Sequence, residues 1–127
     1  MLLDTHAFLW WLDGDERLAH HARELIVDPH TTVLVSAASA WEISTKVRIG
    51  KLPGAAEVAG MLGWCISSQG FTELPISVEH AQRAGALPWP HRDPFDRMLI
   101  AQAQGENVAI VTNDPVFAGY GVACEWD

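Results

Sequence analysis

Basic residues, cysteines and long apolar runs are all scarce in this sequence. Only 8 of the 127 residues are Lys or Arg, against 16 Asp or Glu, for a formal net charge of −8. Proteins that coat DNA or RNA usually present a basic face, so this balance argues against a general nucleic-acid coat. It does not exclude an enzyme that meets phosphate groups through a bound cation, because a divalent metal reverses the local sign of the field.

The scarcity of cysteine and of long apolar runs bears on the cellular compartment. No run approaches the roughly 18 apolar residues that a membrane-spanning helix needs. Met1 leads directly into apolar, core-like sequence, so we expect no signal peptide. Cys65 and Cys124 lie in apolar surroundings and match no metal or redox spacing. We expect buried free thiols rather than a disulfide, and therefore a cytoplasmic protein without a membrane segment.

What is present is the composition of a folded globule. Hydrophobic residues make up 49% of the chain and charged residues 19%. The length suits one domain over residues 1–127 with a sizeable core. No repeat, low-complexity tract or linker interrupts it.

Short apolar or β-branched runs alternate with helical patterns along the whole chain. Strands are predicted over residues 1–3, 31–37, 71–76, 107–114 and 121–126. Helices are predicted over residues 6–12, 18–27, 36–52, 55–68, 78–87 and 93–106, with a proline-rich loop at 87–94. Such alternation is typical of parallel strands joined by right-handed crossovers. The expected fold is α/β, a parallel sheet of about five strands flanked by helices on both faces.

Four acidic residues interrupt or end the apolar patterns. Asp4 follows the first strand, and Asp114 ends the fourth. Glu42 lies near the start of the helix after the second strand, and Asp96 lies in the first turn of the helix before the fourth. Ligands of α/β folds bind beyond the carboxyl ends of the strands. Asp4, Glu42 and Asp114 should share that edge, and Asp96 joins them if its helix starts on the same side.

Each acid also has a structural explanation. Ser39 and Glu42 fit a capping box, and Asp93 before a proline fits a helix N-cap. Asp96 can complement the helix dipole, and Asp114 can cap a short helix. Any one of these explanations is reasonable alone, but several acids at one sheet edge favour a shared site.

Clustered carboxylates repel one another unless a cation joins them. Hard oxygen ligands select Mg²⁺ or Mn²⁺, with water and phosphate oxygens completing the coordination. Such a metal activates a bound water, orients it for in-line attack and stabilises charge on the phosphate. The pattern therefore indicates metal-dependent phosphodiester hydrolysis.

Four stretches of the chain resemble the PIN-domain nucleases, specifically the VapC-type toxins of bacterial toxin–antitoxin pairs: LLDTHAFLWW, SAASAWEISTKVRIGKL, HRDPFDRMLIAQA and IVTNDPVF. The resemblance spans nearly the whole chain, with the acidic positions in order. It implies a single PIN-like domain and RNA cleavage that depends on Mg²⁺ or Mn²⁺. It also implies a homodimer and a cognate VapB-type antitoxin, and such antitoxins commonly block the acidic site with a C-terminal tail.

The resemblance also implies roles for individual residues. It assigns catalysis and metal binding to Asp4, Glu42, Asp96 and Asp114. Asp93 belongs to the loop motif, and its role, with metal binding among the options, stays open. The hydroxyls of Thr5 and Thr112 are expected to support the site.

Basic residues flank the predicted acidic centre. They follow Glu42 on its helix or flank the other acids: Lys46, Arg48, Lys51, Arg92 and Arg97. Because the acidic centre itself repels an RNA backbone, we expect a rim of basic side chains around it to contact the RNA phosphates. The main candidates are Lys46, Arg48, Arg92 and Arg97. An ordinary solvated face is the alternative.

Three other functions compete with a nuclease. A phosphotransfer hydrolase with an aspartate nucleophile favours a DxD pair after the first strand, where this chain reads Asp4-Thr5-His6. A receiver-like signalling domain needs a phosphoacceptor Asp after a middle strand, where Ser36-Ala37 stands instead. An inactive or housekeeping PIN-like protein would bind or process RNA without the toxin's activity, although all four acids are present here.

Overall fold

A five-stranded parallel sheet forms the centre of the computed structural model, which describes residues 1–88 and 93–127. Its strands are β1 (Leu2–Leu3), β2 (Leu34–Ser36), β3 (Thr72–Leu74), β4 (Ile110–Val111) and β5 (Cys124–Glu125). The spatial order is β3-β2-β1-β4-β5, and every neighbouring pair is parallel. Because β1 lies between β2 and β4, the carboxyl ends of these three strands are adjacent at one edge. The predicted α/β class and parallel sheet are confirmed.

Helices connect the strands. They are α1 (Thr5–Asp13), α2 (His20–Val27), α3 (Ala37–Arg48), α4 (Ala56–Ala59), α5 (Leu62–Ser68), α6 (Val78–Ala86) and α7 (Pro94–Glu106). Short 3-10 turns cover Pro53–Ala55 and Ala118–Tyr120. Within residues 1–88 and 93–127, no helix combines the length and apolar character that crossing a membrane requires.

Both faces of the sheet are covered, as expected for buried parallel strands. On one face, Leu3 and Val111 pack in a cluster with Phe8 of α1 and Ile43 of α3. The alternate strand positions point the other way, where Leu2 and its neighbours pack in a cluster that includes residues of α7. This alternation explains why the strands read as continuous apolar runs.

The single helix predicted over 55–68 is wrong. The segment is instead a 3-10 turn, α4 and α5, with Gly60 at the end of α4. Glycine is costly in a helix interior because its backbone loses much conformational freedom there. At Met61 the backbone leaves the helical region, with φ −144°. The break thus falls at Gly60 and Met61, between α4 and α5.

The prediction for the cysteines is only half confirmed. Cys65 is a buried free thiol on α5. Cys124 is also free but exposed, because β5 is an edge strand that pairs only with β4. The expected burial of Cys124 is therefore wrong.

Candidate active site

Asp4 and Asp114 lie at the carboxyl ends of neighbouring strands. Asp4 directly follows β1 and caps α1, where its Oδ1 accepts a hydrogen bond from the Ala7 amide at 2.8 Å. Asp114 follows β4, and its Oδ1 accepts from the Val116 amide at 3.0 Å. Since β1 and β4 are adjacent and parallel, both carboxylates line one cleft, as the sequence predicted.

Asp4 is the more buried of the two carboxylates. It is only 7% exposed, and this burial raises its pKa above the ordinary value because water no longer solvates the charge. Hydrogen bonds from the Thr112 side chain and the Ala7 amide, and the nearby charge of His6, oppose that rise in pKa, while the charge of Asp114 adds to it. A buried carboxylate in this state gains from any cation placed beside it.

Glu42 lies inside α3 and not in its first turn. The helix begins at Ala37, and the Ser36 hydroxyl accepts from the Ala38 amide at 2.9 Å. The alternative explanation, a capping box of Ser39 and Glu42, is therefore wrong, because the N-cap is three residues earlier. Glu42 is 3% exposed, so its carboxylate is held by side chains within the fold.

Two side chains hold the Glu42 carboxylate. Thr5 Oγ1 donates to Glu42 Oε1 at 2.6 Å and lies 3.0 Å from the Ser39 hydroxyl. Lys46 Nζ donates to Oε2 in an ion pair one turn along α3. Burial lowers the pKa of Lys46, but its hydrogen bond with Glu42 and the charges of Glu42, Asp93 and Asp96 raise it to above the ordinary value. Lys46 therefore stays charged at neutral pH.

Asp93 and Asp96 occupy the start of α7. Asp93 is the N-cap, with its Oδ1 accepting from the amides of Phe95 at 2.9 Å and Asp96 at 3.3 Å. The capping explanation for Asp93 is confirmed. Asp96 lies in the first helical turn, and both residues line the same cleft as Asp4. A carboxylate has two oxygens, so a cap does not prevent a second contact.

These residues share a cleft of about 360 Å³, called the acidic cleft below. Its charged lining consists of five carboxylates and one ammonium: Asp4, Glu42, Asp93, Asp96, Asp114 and Lys46. Across the described ranges, however, no three His, Cys, Asp or Glu side chains lie close enough together to hold a metal ion. The meeting of the acids in one cleft is confirmed, while their roles as catalytic residues and metal ligands stay predictions.

The described basic residues of the predicted rim have different surroundings. Arg97 donates to the backbone carbonyls of Ala84, at 2.8 and 3.1 Å, and Leu87, at 2.9 Å, and so holds the carboxyl end of α6. Arg48 and Lys51 are exposed at and beyond the end of α3. Arg92 lies outside the described residues.

Sequence reasoning missed other residues of the acidic cleft. His6 and Trp10 lie four residues apart on α1, with ring centres 5.6 Å apart, and both line the cleft. Asn113 and Phe117 line it beside Asp114. A helical spacing relates His6 to Trp10, because residues four apart share one helix face, but neither residue stands three or four positions from Asp4, so the acid alone does not point to them.

Comparison with known proteins identifies the family. The family model described as "PIN domain" matches residues 1–122. The chain belongs to the PIN domain family. A curated relative, "Ribonuclease VapC16" from Mycobacterium tuberculosis (strain ATCC 25618 / H37Rv), is 38% identical over 69 residues, which cover 51% of this chain and 45% of that protein. The match therefore spans less than half of that relative's length.

Solved structures share the PIN domain fold at low identity. A chain of VapBC2 from Rickettsia felis, bound to a DNA fragment from its promoter, has a TM-score of 0.69 at 18% identity, covering 99% of this chain and 98% of that chain. A chain of DNA-bound VapBC from Salmonella typhimurium has a TM-score of 0.66 at 18% identity, and the match covers 98% of this chain and 95% of that chain. A chain of a toxin–antitoxin complex from Klebsiella pneumoniae has a TM-score of 0.57 at 19% identity, and the match covers 90% of this chain and 86% of that chain. This likeness supports the fold assignment.

Proposed function

We propose that this chain is a metal-dependent endoribonuclease and the toxin of a VapBC-type toxin–antitoxin pair. The observation that carries the proposal is the acidic cleft, in which five carboxylates meet at the carboxyl edge of a PIN domain sheet. The names of the relatives, a ribonuclease VapC16 and VapBC complexes, point the same way. We take residues 1–127 as one such domain.

Asp4, Glu42, Asp96 and Asp114 are the residues that would hold Mg²⁺ or Mn²⁺. Their oxygens are the hard donors that these ions prefer. Because no three of the described acids lie close enough together to hold an ion, their side chains would have to move towards it on binding. Bound there, the metal would supply an activated water and would neutralise charge on the scissile phosphate.

The protein's own side chains keep the carboxylates in place. Thr5 orients Glu42 through its 2.6 Å hydrogen bond. Thr112 accepts from the Asp114 amide at 3.0 Å and hydrogen bonds to Asp4, so one hydroxyl links two of the proposed ligands. Both threonines are buried, which restricts their movement. Their proposed role is to fix the geometry of the ligands.

The substrate and partners follow from the same proposal. RNA would reach the acidic cleft along basic side chains, for which the exposed Arg48 is the candidate among the described residues. Arg92 is a second candidate from the sequence alone. We further propose a homodimer and a VapB-type antitoxin that occupies the cleft. The cytoplasm is the proposed compartment, because the thiols of Cys65 and Cys124 are both free.

The test is an RNA cleavage assay with Mg²⁺ or Mn²⁺, with and without EDTA. We expect cleavage that the chelator abolishes and that Asp4→Ala lacks. Asp28→Ala is the matched control, because Asp28 is an exposed aspartate at the end of α2. Cleavage that persists in EDTA would contradict the metal mechanism. RNA binding without any cleavage would favour the inactive PIN-like protein.

A further inference from the structure

Lys46 brings a positive charge into the acidic cleft. Its ammonium is paired with Glu42, whose side chain is 4% exposed, while the side chain of Lys46 is 28% exposed. The pair thus lies within the cleft and not on a solvated face. The charges of Asp93 and Asp96 also act on Lys46, so the ammonium faces carboxylates from two helices, α3 and α7.

The simplest explanation for this contact is an ordinary helix pair. Glu and Lys four residues apart often pair on helix surfaces, where such pairs stabilise little because water screens them. Two observations argue for more. The pair is largely buried, and it occupies one oxygen of a carboxylate whose other oxygen already accepts from Thr5. A cation that binds Glu42 must therefore displace Lys46 or Thr5, or share an oxygen with one of them.

We propose that Lys46 is a resident counter-cation of the acidic cleft that competes with the divalent metal for Glu42. The inference rests on the metal of the proposed function and goes beyond it. In the metal-free protein the ammonium offsets the repulsion among the carboxylates. When a divalent cation arrives, the same ammonium repels it and withholds a ligand oxygen. Lys46 thereby weakens metal binding and acts as a positioning residue of the site.

The test is calorimetric titration of Mn²⁺ into the full-length protein without RNA. We expect Lys46→Met to bind Mn²⁺ at least about tenfold more tightly than wild type, because a nearby like charge is removed. Lys51→Met is the matched control, since it removes the same charge from an exposed position beyond α3. Its affinity should stay within about twofold of wild type, because solvent screens exposed charges.

Two further variants guard against a folding defect. Lys46→Gln removes the charge but keeps a polar group beside Glu42, so it should also bind Mn²⁺ more tightly. Lys46→Arg keeps the charge and should bind no more tightly than wild type. Thermal melts give a second measurement. Without metal, Lys46→Met should have a lower melting temperature than Lys51→Met. On adding Mn²⁺, its melting temperature should rise by more than that of wild type.

The outcomes separate this inference from the proposed function. Unchanged or weaker Mn²⁺ binding by folded Lys46→Met or Lys46→Gln would overturn the competition, even if wild type binds Mn²⁺ and cleaves RNA. Tighter binding by these variants would support it, even if no RNA is cleaved. If no variant binds Mn²⁺, both the inference and the metal mechanism are wrong.

Discussion

Replacing Thr5 with valine tests how much the buried hydrogen bond from Thr5 to Glu42 contributes to the stability of the fold. Valine has nearly the shape of threonine but lacks the hydroxyl that donates to Glu42 Oε1 at 2.6 Å. Thr5 and Glu42 are 4% and 3% exposed, so water cannot readily replace the lost donor. A hydrogen bond to a charged group contributes about 1.5–3 kcal/mol, so we expect Thr5→Val to lower the free energy of unfolding by about 2 kcal/mol.

Thermal unfolding of the metal-free protein measures this change. For a domain of this length, about 2 kcal/mol corresponds to a melting temperature lower by roughly 7 °C. Thr5→Ser is the matched control, because it keeps the hydroxyl and its melting temperature should fall clearly less than that of Thr5→Val. A melting temperature for Thr5→Val within about 1 °C of wild type would refute the reasoning. So would a Ser variant that melts as low as the Val variant.

Four further predictions concern charged residues. Burial raises the pKa of Asp4, so its contribution to the stability of the metal-free protein is present at acidic pH and is lost as the pH rises through its folded-state pKa. Melting temperatures measured over pH should show this loss in wild type, and the loss should be smaller in Asp4→Asn. Asp96→Asn should leave the metal-free protein as stable as wild type or more stable, by about 1 kcal/mol. The variant should lose RNA cleavage and much of the gain in melting temperature that Mn²⁺ gives wild type. A variant that keeps both properties would show that Asp96 is not part of the site. Arg97→Ala should destabilise the protein by about 2 kcal/mol in denaturant unfolding, because carbonyls at the end of α6 lose their donors. Arg48→Ala should instead reduce the salt slope of RNA binding by about one, and an unchanged slope would mark Arg48 as an ordinary surface charge.

Much of the fold was predictable because its signals are local. Alternating apolar runs and helical patterns indicated parallel strands with crossovers, and all five strands lie within the predicted ranges. The predicted strands were longer than the observed ones; β4, for example, is only Ile110–Val111 within the predicted 107–114. Propensity marks a stretch as extended, but only the neighbouring strand decides how many of its residues pair.

The acids of the site were also predictable, but their surroundings were not. The chain alone identified Asp4 and Asp114, because an acid that ends a buried strand breaks an apolar pattern. Whether Asp96 joins them depends on where α7 starts, and the structure decides that by placing Asp96 in the acidic cleft. The true N-cap, Ser36, was overlooked because Ser39 offered an equally good local pattern.

Only the tertiary structure decided what the basic residues do. In the sequence, Lys46 and Arg97 are both cations beside predicted site acids, Lys46 one helical turn after Glu42 and Arg97 directly after Asp96. Lys46 turns towards Glu42 inside the cleft, whereas Arg97 binds carbonyls of Ala84 and Leu87, which lie 13 and 10 residues earlier in the chain. Long, flexible side chains reach partners that sequence spacing does not reveal. The sequence by itself determined where the negative charge collects, because carboxylates at strand ends follow the backbone. The fold determined that Lys46 lies inside the cleft whereas Arg97 binds the end of α6, because burial and contacts between helices depend on how the helices pack.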